Sequence, residues 1–315
     1  MFPNVRGKRL KSIRQYFKYS FSKTRVEVDI LHFSVPRFYP FFWLFPSKKF
    51  ACTFHAAGDV TSYKDKIIIS RELYNLTAKL FYRKLDLIIA VSEQGKLEIS
   101  KSYKIPHKLI KVMYPGTDDV WNLPVLNKRE YKNYGRKIIT VLGRWQVYKN
   151  IQTVSKALVN ATKSELENYY FVFVGKKITA NSNIIEKDLA QLDPSIFETI
   201  DFLANDDYVD LIKHSDLVIV PSLNEGFSLP IFDAFSLGTR VMFHSTSPAA
   251  QILLGKKGVF ACDLSNPQNF LLSLSEALEL ETGSQFENQK FLKDIGATWY
   301  GLANNYLLSY KSLLF

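Results

Sequence analysis

The sequence predicts an α/β fold built on doubly wound parallel sheets, and three observations carry that expectation. Short apolar runs recur at Ile138–Leu142, Tyr170–Val174, Thr199–Leu203, Leu217–Val220, Val241–Phe243 and Val259–Ala261. Runs with no polar alternation are what strands look like when helices cover both faces of their sheet. Helical patterns such as Tyr208–His214 and Asn269–Leu278 fall between those runs, and this alternation marks strand–helix–strand units. The chain's 315 residues are enough for about two domains.

From the start of the chain, residues 1–26 hold eight basic side chains and no acidic one: Arg6, Lys8, Arg9, Lys11, Arg14, Lys18, Lys23 and Arg25. The net charge is +11, and the rest of the chain holds 33 basic against 30 acidic residues, so the excess is local. Leu10, Ile13, Phe17 and Phe21 recur at helical spacing, which describes a basic amphipathic helix suited to an anionic membrane surface. Two other readings stay open. The apolar stripe packs on a domain core with its cations solvated, or the segment is a disordered arm. Nothing in the chain has an RNA-binding or helix-turn-helix pattern, so nucleic acid is not expected as a partner.

Strands are expected next at Val28–Phe33, Phe50–Phe54, Leu87–Val91 and Ile110–Tyr114, with helices from about Glu72 to Lys84 and from Glu93 to Tyr103. The charge-dense stretch Asn127–Arg136 reads as a linker. The domains expected are therefore 1–133, 134–297 and a closing helix within 298–315. The apolar run Phe38–Phe45 ends at Pro46 and is far shorter than the ~18 residues a membrane span needs. The basic N-terminus lacks the apolar core of a signal peptide. Cys52 and Cys262 are far apart and without a motif, which suggests reduced, buried thiols and a cytoplasmic protein.

The most informative stretch is Pro221-Ser-Leu-Asn-Glu225-Gly-Phe227-Ser228-Leu229-Pro230-Ile-Phe-Asp233-Ala234. It follows the buried strand Leu217–Val220 and leads into a helix with Pro230 in its first turn. Glu225 lies in the loop, and Asp233 is expected in the first helical turn. Free N–H groups at a helix start attract phosphate, and carboxylates accept hydrogen bonds from vicinal hydroxyls. The arrangement suits a ligand combining a diphosphate with sugar hydroxyls.

This stretch resembles the donor-binding motif of GT-B glycosyltransferases of the retaining family 4 type, in which a Glu is followed seven residues later by a second Glu. Here the second position is Asp233, one methylene shorter. The resemblance implies a GT-B-like architecture of two Rossmann-like doubly wound domains. It implies that Glu225 contacts the donor sugar, that Phe227, Ser228 and Leu229 face sugar and diphosphate, and that Asp233 holds the ribose. Gly143-Arg144-Trp-Gln-Val-Tyr-Lys149-Asn150 resembles the family's Gly-Arg…Lys-Asn element, in which Arg144 and Lys149 would neutralise the departing diphosphate. Taken alone, the same residues also read as a helix start with two surface cations.

His55 resembles the family's strand-end His, which faces the donor sugar, although the usual following Asp is Ala56 here. Lys176, in Gly175-Lys176-Lys177, resembles a phosphate-loop cation and equally fits a solvated Lys pair. Ser92 resembles a family strand-to-helix element and is also a plain N-cap. Tyr114–Asp118 resembles the turn before the interdomain region, and a Trp-containing start such as Trp299 resembles that of the family's closing helix. No G-x-G-x-x-G, P-loop or Asp-x-Asp element is present, so no cofactor or metal is implied beyond a nucleotide diphosphate sugar as co-substrate.

Compared with complete family members, the first domain looks abbreviated. The segment before Val28 lacks the usual opening strand, Gly-rich loop and β/α units, and an exposed sheet edge would invite a partner chain. The resemblance implies a retaining transferase. It would move a hexose or N-acetylhexosamine onto a glycan, lipid-linked in many such systems, for cell-surface polysaccharide or lipopolysaccharide, at the inner face of the membrane. Its rivals are a non-catalytic or partner-dependent subunit, a GT-B-type epimerase or phosphorylase, and a peripheral membrane scaffold.

Overall fold

The computed structural model describes residues 27–36, 39–44, 46–55, 76, 79–125, 135–177 and 181–315. The basic segment 1–26, with its expected helix, and most of the linker stretch lie outside the described residues. The chain divides into two compact units. One runs up to Met113 and takes up Asn304–Phe315; the other is Tyr114–Ala303. Residues 114–125 therefore fold with the second unit, where the Thr117 N–H donates to the Ala297 carbonyl at 3.1 Å.

The first unit carries four parallel strands in chain order, β1 (Val28–Phe33), β2 (Ser47–Phe54), β3 (Leu87–Ala90) and β4 (Ile110–Val112). β2 begins three residues earlier than its apolar run suggests. Ser47 and Lys49 already pair with Val28 and Ile30, and Lys48 and Lys49 meet Asp29 and Asp86 at 2.7 and 3.1 Å. The salt-bridged lysines hid that part of the strand. Phe33, Cys52, Phe54, Ile88 and Ala90 form one face of the core with Ile99 and Tyr103 of α1 (Glu93–Tyr103). Ser92 caps α1 by accepting the Gly95 N–H at 3.0 Å. Of the helix expected at Glu72–Lys84, residues 79–81 are helical and Tyr82–Lys84 tighten to a 3₁₀ turn; most of 72–78 lies outside the described residues.

The second unit holds six parallel strands: β5 (Lys137–Leu142), β6 (Tyr169–Val174), β7 (Phe197–Ile200), β8 (Leu217–Val220), β9 (Val241–His244) and β10 (Val259–Cys262). Their order across the sheet is β10-β9-β8-β5-β6-β7. The chain builds outward from β5 through β6 to β7, then returns to place β8 on the other side of β5. The order therefore reverses between β5 and β8, and ligands of open α/β sheets sit at the carboxyl ends beside such a reversal. Ile139, Val141, Phe171, Phe173, Leu217 and Ile219 pack to one side of the sheet, and Ile138, Tyr170 and Val172 pack to the other against Leu211. Burial on both faces explains why these strands read as continuous apolar runs.

Two expectations shift. β7 runs Phe197–Ile200, directly after a 3₁₀ turn at Pro194–Ile196, and ends three residues before the apolar run does; Phe202 beyond it is 83% exposed. Helix α6 spans Leu229–Ser236 with Pro230 as its second residue, which places Asp233 in the second turn, not the first. Both cysteines are free thiols, Cys52 buried and Cys262 half-buried. Among the described residues no helix is long and apolar enough to cross a membrane.

Candidate functional site

Nine of the ten residues singled out in the sequence lie on loops and a helix start at the carboxyl ends of β5, β6 and β8, all in the second unit. The loops after β5 and β6 run side by side. The Gly143 N–H donates to the Val174 carbonyl at 3.0 Å, and the Trp145 N–H to that of Lys176 at 3.1 Å. This contact needs a glycine at 175: a Cβ there would lie 1.9 Å from the Gly143 carbonyl oxygen. Trp145 anchors the first loop in the core, buried against β5 and α2 (Ile151–Asn160). With Trp145 turned inward, Arg144 before it is left exposed, and so is Lys176 on the neighbouring loop.

Arg144 and Lys176 share a cavity of about 500 Å³ with Val174, Asp201, Phe202, Leu203 and Tyr208. Its wall thus combines two cations, one carboxylate and two aromatic rings. Tyr208 comes from α5 (Asn205–His214). Its hydroxyl donates to Asp233 Oδ2 at 2.9 Å.

Lys149 ends a 3₁₀ turn whose next residue, Asn150, has φ +58°. The Asn150 side chain donates to the Leu264 carbonyl at 2.7 Å and accepts from the Thr153 hydroxyl at 2.6 Å. A short amide that tolerates the left-handed region suits this position. The turn is tied to the β8 loop by the Leu223 N–H, which donates to the Tyr148 carbonyl at 2.9 Å. That tie brings Lys149 Nζ to 2.5 Å from Glu225 Oε1. With side chains 20% and 14% exposed, the pair is screened by little water.

Phe227 and Phe232 stack with centroids 4.2 Å apart and planes 2° from parallel. This stack fixes the loop between Glu225 and α6. Ser228, at the helix N-cap, has φ +73°, a conformation costly for any residue with a Cβ. Its buried hydroxyl has no hydrogen-bond partner among the described residues. Leu229 opens α6 and is 38% exposed. Burial pushes the Asp233 carboxyl up to about 7; the Tyr208 hydroxyl opposes the shift and the charge of Asp119 adds to it. The Tyr208 phenol is held well above its ordinary range by burial and by Asp233, so it keeps its proton and acts as donor.

His55 belongs to the first unit. It stands exposed just beyond β2, with Nε2 3.0 Å from the Ser34 carbonyl. The same unit contains a polar cluster the sequence reading missed. His32 contacts the Tyr310 hydroxyl through Nδ1 and Thr53 Oγ1 through Nε2, and Thr53 Oγ1 lies 2.9 Å from the Tyr306 hydroxyl. Burial, with His55 second, lowers the His32 pKa. The tyrosines lie one turn apart, at the middle and in the second half of the closing helix Trp299–Leu314. The two partners are about 280 positions apart in sequence, so local pattern held no signal for them. Tyr208, also missed, sits on an amphipathic helix where a tyrosine ordinarily means packing. Among the described residues no three His, Cys, Asp or Glu side chains are placed to hold a metal ion.

Comparison with known proteins agrees with this layout. Residues 126–294 match the family model described as glycosyl transferases group 1, and residues 2–121 match that for glycosyltransferase family 4. The chain belongs to the group 1 glycosyl transferases, and its two parallel-sheet α/β units are of the GT-B, Rossmann-like type. The D-inositol 3-phosphate glycosyltransferase of Corynebacterium jeikeium is 24% identical over 203 residues, 61% of this chain and 48% of that protein. This chain thus spans about half of that curated relative. The UDP-forming α,α-trehalose-phosphate synthase of Burkholderia vietnamiensis superposes with a TM-score of 0.70 at 12% identity, covering 98% of this chain and 78% of its own. HepE of Anabaena, in complex with UDP and glucose, gives 0.62 at 12% identity, covering 97% and 79%. At such identities the likeness establishes the fold alone.

Proposed function

We propose that the protein is a retaining glycosyltransferase that takes a hexose or N-acetylhexosamine from a nucleotide diphosphate sugar bound at the carboxyl ends of β5, β6 and β8. The observation that carries this reading is that Arg144 and Lys176 wall one cavity with Tyr208, which bonds Asp233, while Lys149 pairs with Glu225 on the neighbouring loops. Cations match a diphosphate, and carboxylates match the hydroxyls of sugar and ribose. Glu225 orients the sugar hydroxyls, and the backbone of Phe227–Leu229 faces sugar and diphosphate. Gly143 lets the loop carrying Arg144 lie close to the phosphates.

The chemical step concentrates negative charge on the phosphate oxygen that leaves the anomeric carbon. Arg144 and Lys149 stabilise that charge. Before the donor arrives, Glu225 neutralises Lys149; the donor's phosphate takes over the ammonium and frees a carboxylate oxygen for the sugar. The leaving phosphate accepts the acceptor's proton, so no separate general base is assigned. The acceptor is a glycan, carried on a lipid and extended for cell-surface polysaccharide or lipopolysaccharide, with the basic segment 1–26 holding the enzyme on an anionic inner leaflet.

The test is release of nucleoside diphosphate from a panel of UDP-, GDP- and ADP-sugars. One donor class is turned over, and Lys149→Ala slows it about a hundredfold. Turnover of no donor by the folded protein, or full activity in Lys149→Ala, contradicts the assignment. Vesicle sedimentation with and without residues 1–26 tests the membrane role, which fails if binding is unchanged.

A further inference from the structure

We propose that Tyr208 is a positioning residue for the nucleotide's ribose, acting through Asp233. The inference rests on the donor-site reading above. Tyr208 and Asp233 come from successive helices of the second unit, α5 and α6, and a 2.9 Å hydrogen bond joins them. Tyr208 also forms part of the wall of the cavity that holds Arg144 and Lys176. One side chain therefore touches both the space where a nucleotide fits and the carboxylate assigned to its ribose.

The sequence supplies the reason for such a device. Asp233 stands where the motif otherwise carries Glu, so its carboxylate ends one methylene nearer the backbone. Its place in the second turn of α6 sets it deeper than a first-turn residue would lie. A short carboxylate in a half-buried setting has two free rotations, and only some orientations present an oxygen to a diol. The Tyr208 hydroxyl takes Oδ2, which fixes the plane of the group and leaves Oδ1 to accept from ribose. A hydrogen bond to a charged acceptor is worth more than one between neutral groups. Holding the acceptor in place beforehand removes part of the ordering cost of binding.

The experiment compares each nucleoside diphosphate, UDP, GDP and ADP, with its 2′,3′-dideoxy analogue by calorimetry on wild type, Tyr208→Phe and Tyr208→Phe/Asp233→Glu. Wild type binds one ribonucleotide and binds its dideoxy analogue about tenfold or more weakly, the size of a lost charged hydrogen bond. In Tyr208→Phe the ribonucleotide weakens toward the dideoxy analogue while the analogue's own affinity stays constant. The double variant, with its longer carboxylate, recovers discrimination between the two. A purely structural role for Tyr208 would weaken both ligands alike, and that result overturns the proposal. Equal ribose discrimination in wild type and Tyr208→Phe also overturns it while leaving the donor site intact. Binding of none of the three nucleotides by folded wild type removes the donor-site reading itself, and this proposal with it. If Tyr208→Phe does not fold, Tyr208→His serves in its place, read by the same ratio of ribose to dideoxy affinity.

Discussion

Gly175→Ala is a perturbation whose consequence can be worked from distances. The added methyl carbon would lie 1.9 Å from the Gly143 carbonyl oxygen, 2.5 Å from its carbon and 3.0 Å from the Arg144 nitrogen. Carbon and oxygen atoms at van der Waals contact sit well over an ångström farther apart, near 3.5 Å as for other heavy-atom pairs. All three obstructing atoms are backbone, so no side chain can swing away. The two loops must separate by more than an ångström, which stretches or breaks the Gly143-to-Val174 and Trp145-to-Lys176 hydrogen bonds, now 3.0 and 3.1 Å. Overpacking of about 1–3 kcal/mol plus one weakened backbone bond gives a loss of about 3 kcal/mol. For a unit of this size that is a fall in Tm of about 6–12 °C. The displaced loops carry Arg144 and Lys176, so nucleoside diphosphate affinity falls by about tenfold or more as well. Differential scanning fluorimetry and calorimetry on the same preparation read both effects. A Gly175→Ala protein with wild-type Tm and affinity would refute the account of how the two loops are held.

Two further predictions concern α6. Burial raises the Asp233 carboxyl to about 7, so its ionisation penalises the folded state. The associated stability is complete below about pH 4, the unfolded range for Asp, and is lost as pH rises through about 7. Asp233→Asn, neutral throughout, should therefore match wild type in Tm near pH 4 and exceed it at pH 8; the opposite slope would contradict the burial argument. Ser228→Gly removes a Cβ from a residue at φ +73° and a buried hydroxyl without a partner among the described residues. It should gain about 1 kcal/mol, a rise of about 2–4 °C, while weakening donor binding. A gain in both would show that the strained serine has no role at the site.

Much of the fold was legible because both sheets are parallel and covered on two faces. Val218 and Ile219 cannot be anything but buried strand, and Ser92 and Pro230 mark their helix starts by capping chemistry. Where polar residues carried a strand, as at Ser47–Lys49, the apolar pattern ended too soon. The motif loops at 143–150 and 221–233 were legible because their cations and carboxylates follow the order of a donor-binding motif, with Gly143 and Asn150 also suiting the backbone there; Ser228, at φ +73°, left no such mark. The Lys149–Glu225 pair, the tie between Tyr208 and Asp233, and the cluster of His32, Thr53, Tyr306 and Tyr310 were not legible. Each joins residues that only the folded sheet brings together, and none has a spacing that local periodicity records.

The central claim is that the loops after β5, β6 and β8 bind a nucleoside diphosphate through Arg144. It is tested most directly by calorimetric titration of UDP, GDP and ADP into the wild-type chain and into Arg144→Ala. The account predicts about micromolar binding of one nucleotide, at one site per chain, weakened tenfold or more when the guanidinium is removed. Binding that is unchanged in Arg144→Ala, or no binding of any of the three by a folded protein, would contradict it.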